Sequence, residues 1–337
     1  MCKSICRSGA NAHLDATRPC YAKTMKLLVQ LACLVVFALS LASHLGSLHP
    51  VCETLAHFKF QFLLLLAGAS LLQVLFRRRG MLLLSLACLA PIALQVAPWY
   101  LAPKTPVLME PAAQAARKQA GFKILFANVL FSNHQSQALA QLIRQQTPEL
   151  VVLQEANLDL VQVMSEFDTL LPYHFRARNL PYGLAVWSKY PISQPRFELL
   201  ADQDLPSLRG QFLIGGKVLN MFTTHLTSPV REPVHVRDRQ LQVLANYLNQ
   251  HPEIDLVLGD FNISMWSPAY AQFEKATGLN NCRKGFGVLP SWPSKLPEWA
   301  RIPIDQCFSR QAYQIKKIQL GPNIGSDHMP LIIEMIL

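Results

Sequence analysis

Three long apolar stretches, residues 27–48, 60–76 and 81–100, dominate the first third of this chain, and each reaches or approaches the roughly 20 helical residues needed to cross a hydrocarbon core. Strongly polar interruptions are few: Gln30, Gln61, Gln73 and Gln95. Lys23 and Lys26 precede the first stretch and Arg77, Arg78 and Arg79 fill the short turn between the second and third, whereas residues 49–57 carry Glu53 and no Lys or Arg. By the positive-inside rule the N-terminal tail (residues 1–26) and the arginine turn face the cytoplasm, and three crossings put everything after Tyr100 outside it. Trp99 and Tyr100 suit the outer interfacial belt. The expected location is a multi-pass protein of the inner (plasma) membrane, with its C-terminal part facing the periplasm or exterior.

Two other readings exist. Met25 is an alternative start, and Lys26, the apolar run and Ser40-Leu41-Ala42 together look like a signal peptide. Cleavage there would leave two helices whose arginine turn still faces inward. Burial of all three stretches inside a water-soluble core is the other reading, and residues 81–100, which hold no charge, are hard to place in one.

Charge follows the same division. The chain has 337 residues and a formal net charge of +10, a balance that would ordinarily suggest nucleic acid. Residues 1–104 hold ten Lys+Arg against two acids, and the remainder is nearly neutral at +2, so the excess is a topology signal rather than a ligand footprint. With 51% hydrophobic residues the chain is not disordered. Of its eight cysteines only Cys282 and Cys307 lie beyond residue 100. That pair makes no disulfide framework, and with no His or Cys at zinc spacing beside them they read as small buried residues.

Residues 101–121, with Pro103, Pro106 and Pro111, read as a linker. From Phe122 the texture changes to short Val/Ile/Leu/Phe runs at 122–127, 150–153, 183–187, 218–223 and 254–258, which predict buried strands. Amphipathic stretches at 135–146, with Asn133 as a cap, and at 234–250 predict helices between them. Residues 122–337 therefore form one α/β domain.

Polar residues recur where these strands end: Asn128, Gln154-Glu155, Thr224-His225, Gly259-Asp260-Phe261-Asn262, Asp305 and Ser326-Asp327-His328. Carboxylates at the ends of rigid apolar strands can converge at a sheet edge on a hard cation with oxygen ligands, the chemistry of metal-assisted phosphoester hydrolysis. Each motif alone is equally well explained as a turn, a cap or a solvated strand end. In this order, however, the set resembles the endonuclease/exonuclease/phosphatase superfamily over residues 122–337.

That resemblance implies a four-layered sandwich of two packed β-sheets flanked by helices, here preceded by three transmembrane helices. It implies a Mg²⁺-dependent hydrolase of phosphoric esters, with Mn²⁺ as a substitute ion. Glu155 would be the main metal ligand with Asn128 beside it; Asp260 would orient or deprotonate the attacking water, and Asn262 would bond a phosphate oxygen. His328, held by Asp305, would contact the phosphate or transfer a proton; Asp327 would join the metal and water network, and His225 would face the scissile phosphate. Gln306 departs from the histidine that many members carry directly after the aspartate matched by Asp305. Trp292 and Arg209 are further candidates for substrate contact, each equally explained by packing or solvation, and Arg231, Arg237 and Arg239 read as the exposed face and start of a helix.

The partners expected are a lipid bilayer and a phosphodiester, whether lipid headgroup, small diester or extracellular nucleic acid; no protein partner is inferred. The near-neutral domain favours the first two. A tethered binding module without turnover is the non-enzymatic alternative, and the retained Glu155, Asp260 and His328 argue against it.

Overall fold

The computed structural model describes residues 11–101, 121–176, 183–200, 206–310 and 314–336. The expected linker falls almost wholly outside the described residues. Four helices come first: α1 (Asn11–Ala42), α2 (Pro50–Ala56), α3 (Lys59–Leu75) and α4 (Arg79–Val96). Helix α1 begins well before the apolar stretch, so residues 11–26, expected to be a tail, continue it as helix.

By length and composition two helical segments among the described residues, Met25–Ala42 and Arg79–Trp99, suffice to cross a membrane. The third expected span is broken. Helices α2 and α3 meet at a 74° bend and make a crossing only if taken as one unit. The apolar part has 17 residues, about 25 Å of helix at the usual rise, a few ångströms short of the hydrocarbon core.

Beyond the helices lie two six-stranded sheets. The first holds β1 (Phe122–Asn128), β2 (Leu150–Ala156), β3 (Tyr173–Arg176), β4 (Gly183–Ser188), β11 (Gln314–Leu320) and β12 (Leu331–Ile336), in the order β11-β12-β1-β2-β4-β3. The second holds β5 (Ile192–Leu199), β6 (Pro206–Ile214), β7 (Lys217–Thr223), β8 (Leu256–Asp260), β9 (Asn280–Asn281) and β10 (Asp305–Ser309), in the order β5-β6-β7-β8-β10-β9. In each sheet one central pair is parallel, β1 with β2 and β7 with β8, and an antiparallel strand flanks it, β12 beside β1 and β10 beside β8.

This topology decides where the polar strand ends meet. The C-termini of β1, β2, β7 and β8 and the N-termini of β10 and β12 all emerge at one edge.

Between the sheets, Phe122, Ile124, Val152, Phe212, Met221, Leu258 and Ile333 fill the central core, and Cys282 and Cys307 are buried free thiols within it, as expected. Outside the first sheet, α5 (Ser136–Gln146) and α6 (Leu158–Met164) bury Leu139, Leu142, Ile143 and Leu160 against Leu125, Val151 and Leu153. Outside the second, α7 (Val234–Gln250) and α8 (Pro268–Thr277) bury Leu241, Leu244, Leu248 and Phe273 against Phe222, Val257 and Phe308. The result is the four-layered sandwich expected, and the strands and α7 fall close to the stretches read from sequence. Asn133 does not cap α5 through its side chain; it closes a turn by accepting from the Gln135 N–H at 2.9 Å.

The outer core of the second sheet continues without a break into the N-terminal helices, through Cys33, Phe37, Phe62, Leu66, Ile92 and Trp99. Polar contacts fix the join: Gly285 and Gly287 donate their N–H groups to the Trp99 carbonyl, Trp266 Nε1 donates to the Gln95 carbonyl, and Gln61 Nε2 donates to the carbonyls of Trp299 and Arg301.

Candidate active site

Strand register assembles the site. Asp305, first residue of β10, pairs directly with Asp260, last residue of β8. Asn128 pairs with Gln154 across the parallel β1/β2 ladder, which brings Glu155 to the same edge. Glu155 has φ of +57°, in the left-handed region that a side chain adopts only at a cost, and lies at an irregularity in the β2/β4 register. Alternation along a strand would send Gln154 and Glu155 to opposite faces, and the irregularity re-aims Glu155 at the edge. Leu130 and Asn262, also at positive φ, line the same cleft, so strained backbone gathers at the proposed chemistry.

Asp260 is the hub. Its Oδ1 accepts the Asn262 N–H at 2.9 Å, and its Oδ2 faces Asn128 Nδ2 at 3.3 Å, His225 Nε2 at 3.5 Å and His328 Nε2 at 3.5 Å. Asn128 Nδ2 also donates to Glu155 Oε1 at 3.1 Å, so the amide bridges the two carboxylates, while its oxygen accepts the Leu130 N–H. His328 Nδ1 lies 2.9 Å from Asp305 Oδ2, leaving Nε2 directed at the cleft. Ser326 ties the last loop to the first strand by donating to the Asn128 carbonyl and accepting the His328 N–H. Asp327 Oδ2 accepts from Trp292 Nε1 at 3.1 Å.

Burial by itself would lower the pKa of His328, but Asp305 and Asp260 outweigh it, with Asp327 adding to them, and hold the imidazole protonated, its pKa pushed up to about 10. For Asp260, burial favours the neutral form, and the charges of His328 and His225 overcome it and keep the carboxyl ionised. At neutral pH the site thus contains a hydrogen-bond acceptor beside a charged donor.

Asn128, Glu155, His225, Asp260, Asn262, Asp305, Asp327 and His328 converge, and Trp292 lines the cleft with several of them. Arg209, proposed for substrate contact, does not: it is buried on β6, bonded to Glu253 at 2.5 Å and His251 at 3.1 Å beyond the C-terminus of α7, and those partners satisfy its charge there. Arg237 is not on an exposed face either; it is 0% exposed. Gln306 lies outside the cleft lining, donating to the carbonyls of Ile263 and Pro303.

Sequence reasoning gave Gln154 no role, yet it braces the two sheets. Its Nε2 donates to Thr224 O and Thr223 Oγ1, and its Oε1 accepts the Asp260 N–H at 3.0 Å. Gly259 permits this approach, since a Cβ there would stand 1.9 Å from the Thr224 carbonyl oxygen. A glutamine at the end of a fully apolar strand was the available signal.

The carboxylates suit a hard cation. Among the described residues, ligand atoms of Asp260, Asp305 and His328 lie within 4.8 Å of one another. Asp305 Oδ1 is buried with no hydrogen-bond partner, and the single protonated imidazole of His328 is shared between Asp260 and Asp305, so the carboxylate charge is only partly balanced.

Fold and site together define the class of metal-dependent phosphoester hydrolases built on two packed sheets. The sequence profile of the Endonuclease/Exonuclease/phosphatase family matches residues 125–328, and the chain belongs to that family. The fold is similar to that of TDP2 from D. rerio, solved with a single-stranded DNA product (TM-score 0.56, 18% identity, covering 65% of this chain and 100% of that one). It is also similar to an endonuclease/exonuclease/phosphatase family protein from Bacteroides thetaiotaomicron (0.54, 13%, 65% and 98%). The mannosyl-6-phosphatase Bt3783 of the same organism is a further similar structure (0.53, 12%, 64% and 100%). No curated protein sequence matches the chain.

Proposed function

We propose that this protein is a membrane-anchored, Mg²⁺-dependent phosphodiesterase whose catalytic domain faces away from the cytoplasm. The observation that carries the reading is the convergence of Glu155, Asp260, Asp305 and His328 at one sheet edge, with Asp260 ionised beside a protonated His328.

Glu155 would hold the metal, with Asn128 keeping its carboxylate in place and Asp327 in the surrounding polar network. The ion, when bound, would neutralise charge that develops on the phosphoryl oxygens. Asp260, as an ionised acceptor, orients the attacking water. His328 Nε2, charged because Asp305 holds Nδ1, donates to a phosphate oxygen or to the departing oxygen. His225 Nε2 reaches the same space, and the Asn262 side chain, anchored on the Leu226 carbonyl, stands at its rim.

The test uses the full-length protein in detergent with bis(p-nitrophenyl) phosphate. Turnover should require added Mg²⁺, cease with a chelator, and fall by about 10³ in Asp260→Asn and His328→Gln, the scale expected when an electrostatic or proton-transfer group is removed. Wild-type protein releasing no more product than either variant would overturn the reading.

A further inference from the structure

The cleft over this site is not built by the catalytic domain alone. It encloses about 830 Å³, with Glu155, His225, Asp260, Asn262, Asp327 and His328 on its polar side. Thr54, His57 and Phe58, from the α2 segment and the residues joining it to α3, also line it. Apolar side chains of Leu130, Val230, Val236, Trp292, Ile302 and Ile304 line the cleft as well. The part of the wall formed by Thr54, His57 and Phe58 comes from α2 and the residues that join it to α3.

The surroundings of that wall are those of a bilayer surface. Phe58 immediately precedes α3, which exposes Leu64, Leu65, Leu71, Leu72 and Leu75. Leu48 and Val51, beside and within α2, are exposed too. Gln61, one turn into α3, holds the carbonyls of Trp299 and Arg301, so the loop carrying exposed Leu296 and Trp299 sits where α3 would enter lipid. Ile302 and Ile304, on the cleft side, follow directly in sequence. Val230, 82% exposed, adds an apolar rim to the turn beyond His225.

We infer that the substrate is an amphiphilic phosphoester drawn from the bilayer, a phospholipid, whose phosphate meets the polar side of the cleft and whose apolar part lies along the wall that includes Phe58. The inference rests on the hydrolase reading above and adds the substrate class and the residues that select it. In the reaction the water oxygen bonds to phosphorus, the bond from phosphorus to the leaving alcohol's oxygen breaks, and the proton lost by the water is balanced by one gained by the alcohol. Thr54 and Phe58 are specificity-determining residues in this scheme.

The experiment reconstitutes the full-length protein in vesicles of phosphatidylethanolamine and phosphatidylglycerol with Mg²⁺. Release of the water-soluble product or of the lipid alcohol is followed there; bis(p-nitrophenyl) phosphate and a short single-stranded oligonucleotide serve as parallel substrates. Wild-type protein should cleave the phospholipid. Phe58→Ala should lower the ratio of phospholipid to bis(p-nitrophenyl) phosphate turnover about tenfold, the weight of one well-buried aromatic contact. Thr54→Trp, which narrows the cleft from an exposed position and tests the wall without emptying a packed site, should lower the same ratio. Cleavage of bis(p-nitrophenyl) phosphate with no phospholipid turnover, or oligonucleotide turnover exceeding that of lipid, would overturn the inference and leave the hydrolase reading standing. Equal losses on both substrates in both variants would show the wall to be structural and also overturn it. Absence of turnover on every substrate would remove the hydrolase reading and this inference together.

Discussion

His328 and Asp305 are 23 positions apart in sequence and 2.9 Å apart at their interacting atoms, and the pair makes a prediction of its own. An imidazole whose pKa rises from its ordinary value of 6.5 to about 10 on folding stabilises the fold fully below pH 6.5, with the contribution declining above that and gone once pH passes 10. Asp260 has the opposite sign: its pKa is depressed, so its contribution is present above the ordinary carboxylate range and is lost on acidification. In chelator, the wild-type unfolding midpoint should therefore drop between pH 7 and 10, and His328→Gln should flatten that limb of the profile. An unchanged slope in the variant would show that His328 is neutral when folded. The participants were legible in sequence because polar residues at the strand ends and in the loop before β12 recur in the order of the family. Their protonation was not, since it depends on burial and on carboxylates brought in from β8 and β10.

At the scale of elements, α2 lies where the sequence reads as a loop with one acid, Glu53, and no Lys or Arg. Its Glu53 lies 2.7 Å from Arg237 on α7, across 184 positions of sequence, and also accepts from Ser267 at 2.8 Å. Arg237 in turn donates to the Asn262 carbonyl at 3.0 Å, and Asn262 donates its N–H to Asp260. Helix α2 is thus two side chains away from the loop that follows Asp260. Helical spacing in α7 was readable, but a buried arginine looks like a solvated one until its distant partner is known. Glu53→Ala leaves the Arg237 guanidinium buried with only Asp238 as an ion-pair partner among the described residues, and should cost about 2 kcal/mol in unfolding free energy, below the usual loss for a fully orphaned buried charge. Adding Arg237→Met should restore part of that stability but lower turnover, because the Asn262 carbonyl then loses its donor. Full stability in Glu53→Ala would show that Asp238 suffices.

For the molecule as a whole, the helical bundle has two unlike ends. Lys26, Gln30, Phe76, Arg77 and Arg78 gather around one small cavity, whereas Gly46, Glu53, Gln61, Gln95 and Trp99 contact the catalytic domain. An arrangement with the basic cluster at one end and the enzyme at the other is what the positive-inside rule requires if the domain lies outside the cytoplasm. The broken α2/α3 unit then crosses with its bend on the outer side, which is also where α2 meets the cleft. In a variant lacking the native reactive thiols, Val230→Cys should react with a membrane-impermeant maleimide in intact spheroplasts, and Arg78→Cys only after permeabilisation. The cleft rim and the arginine turn would then lie on opposite faces of the bilayer. Labelling at Arg78→Cys in intact spheroplasts with Val230→Cys protected would reverse the topology and place the two-sheet domain in the cytoplasm. Labelling at both would mean that Arg79–Trp99 does not cross the bilayer, and would overturn the three-crossing arrangement.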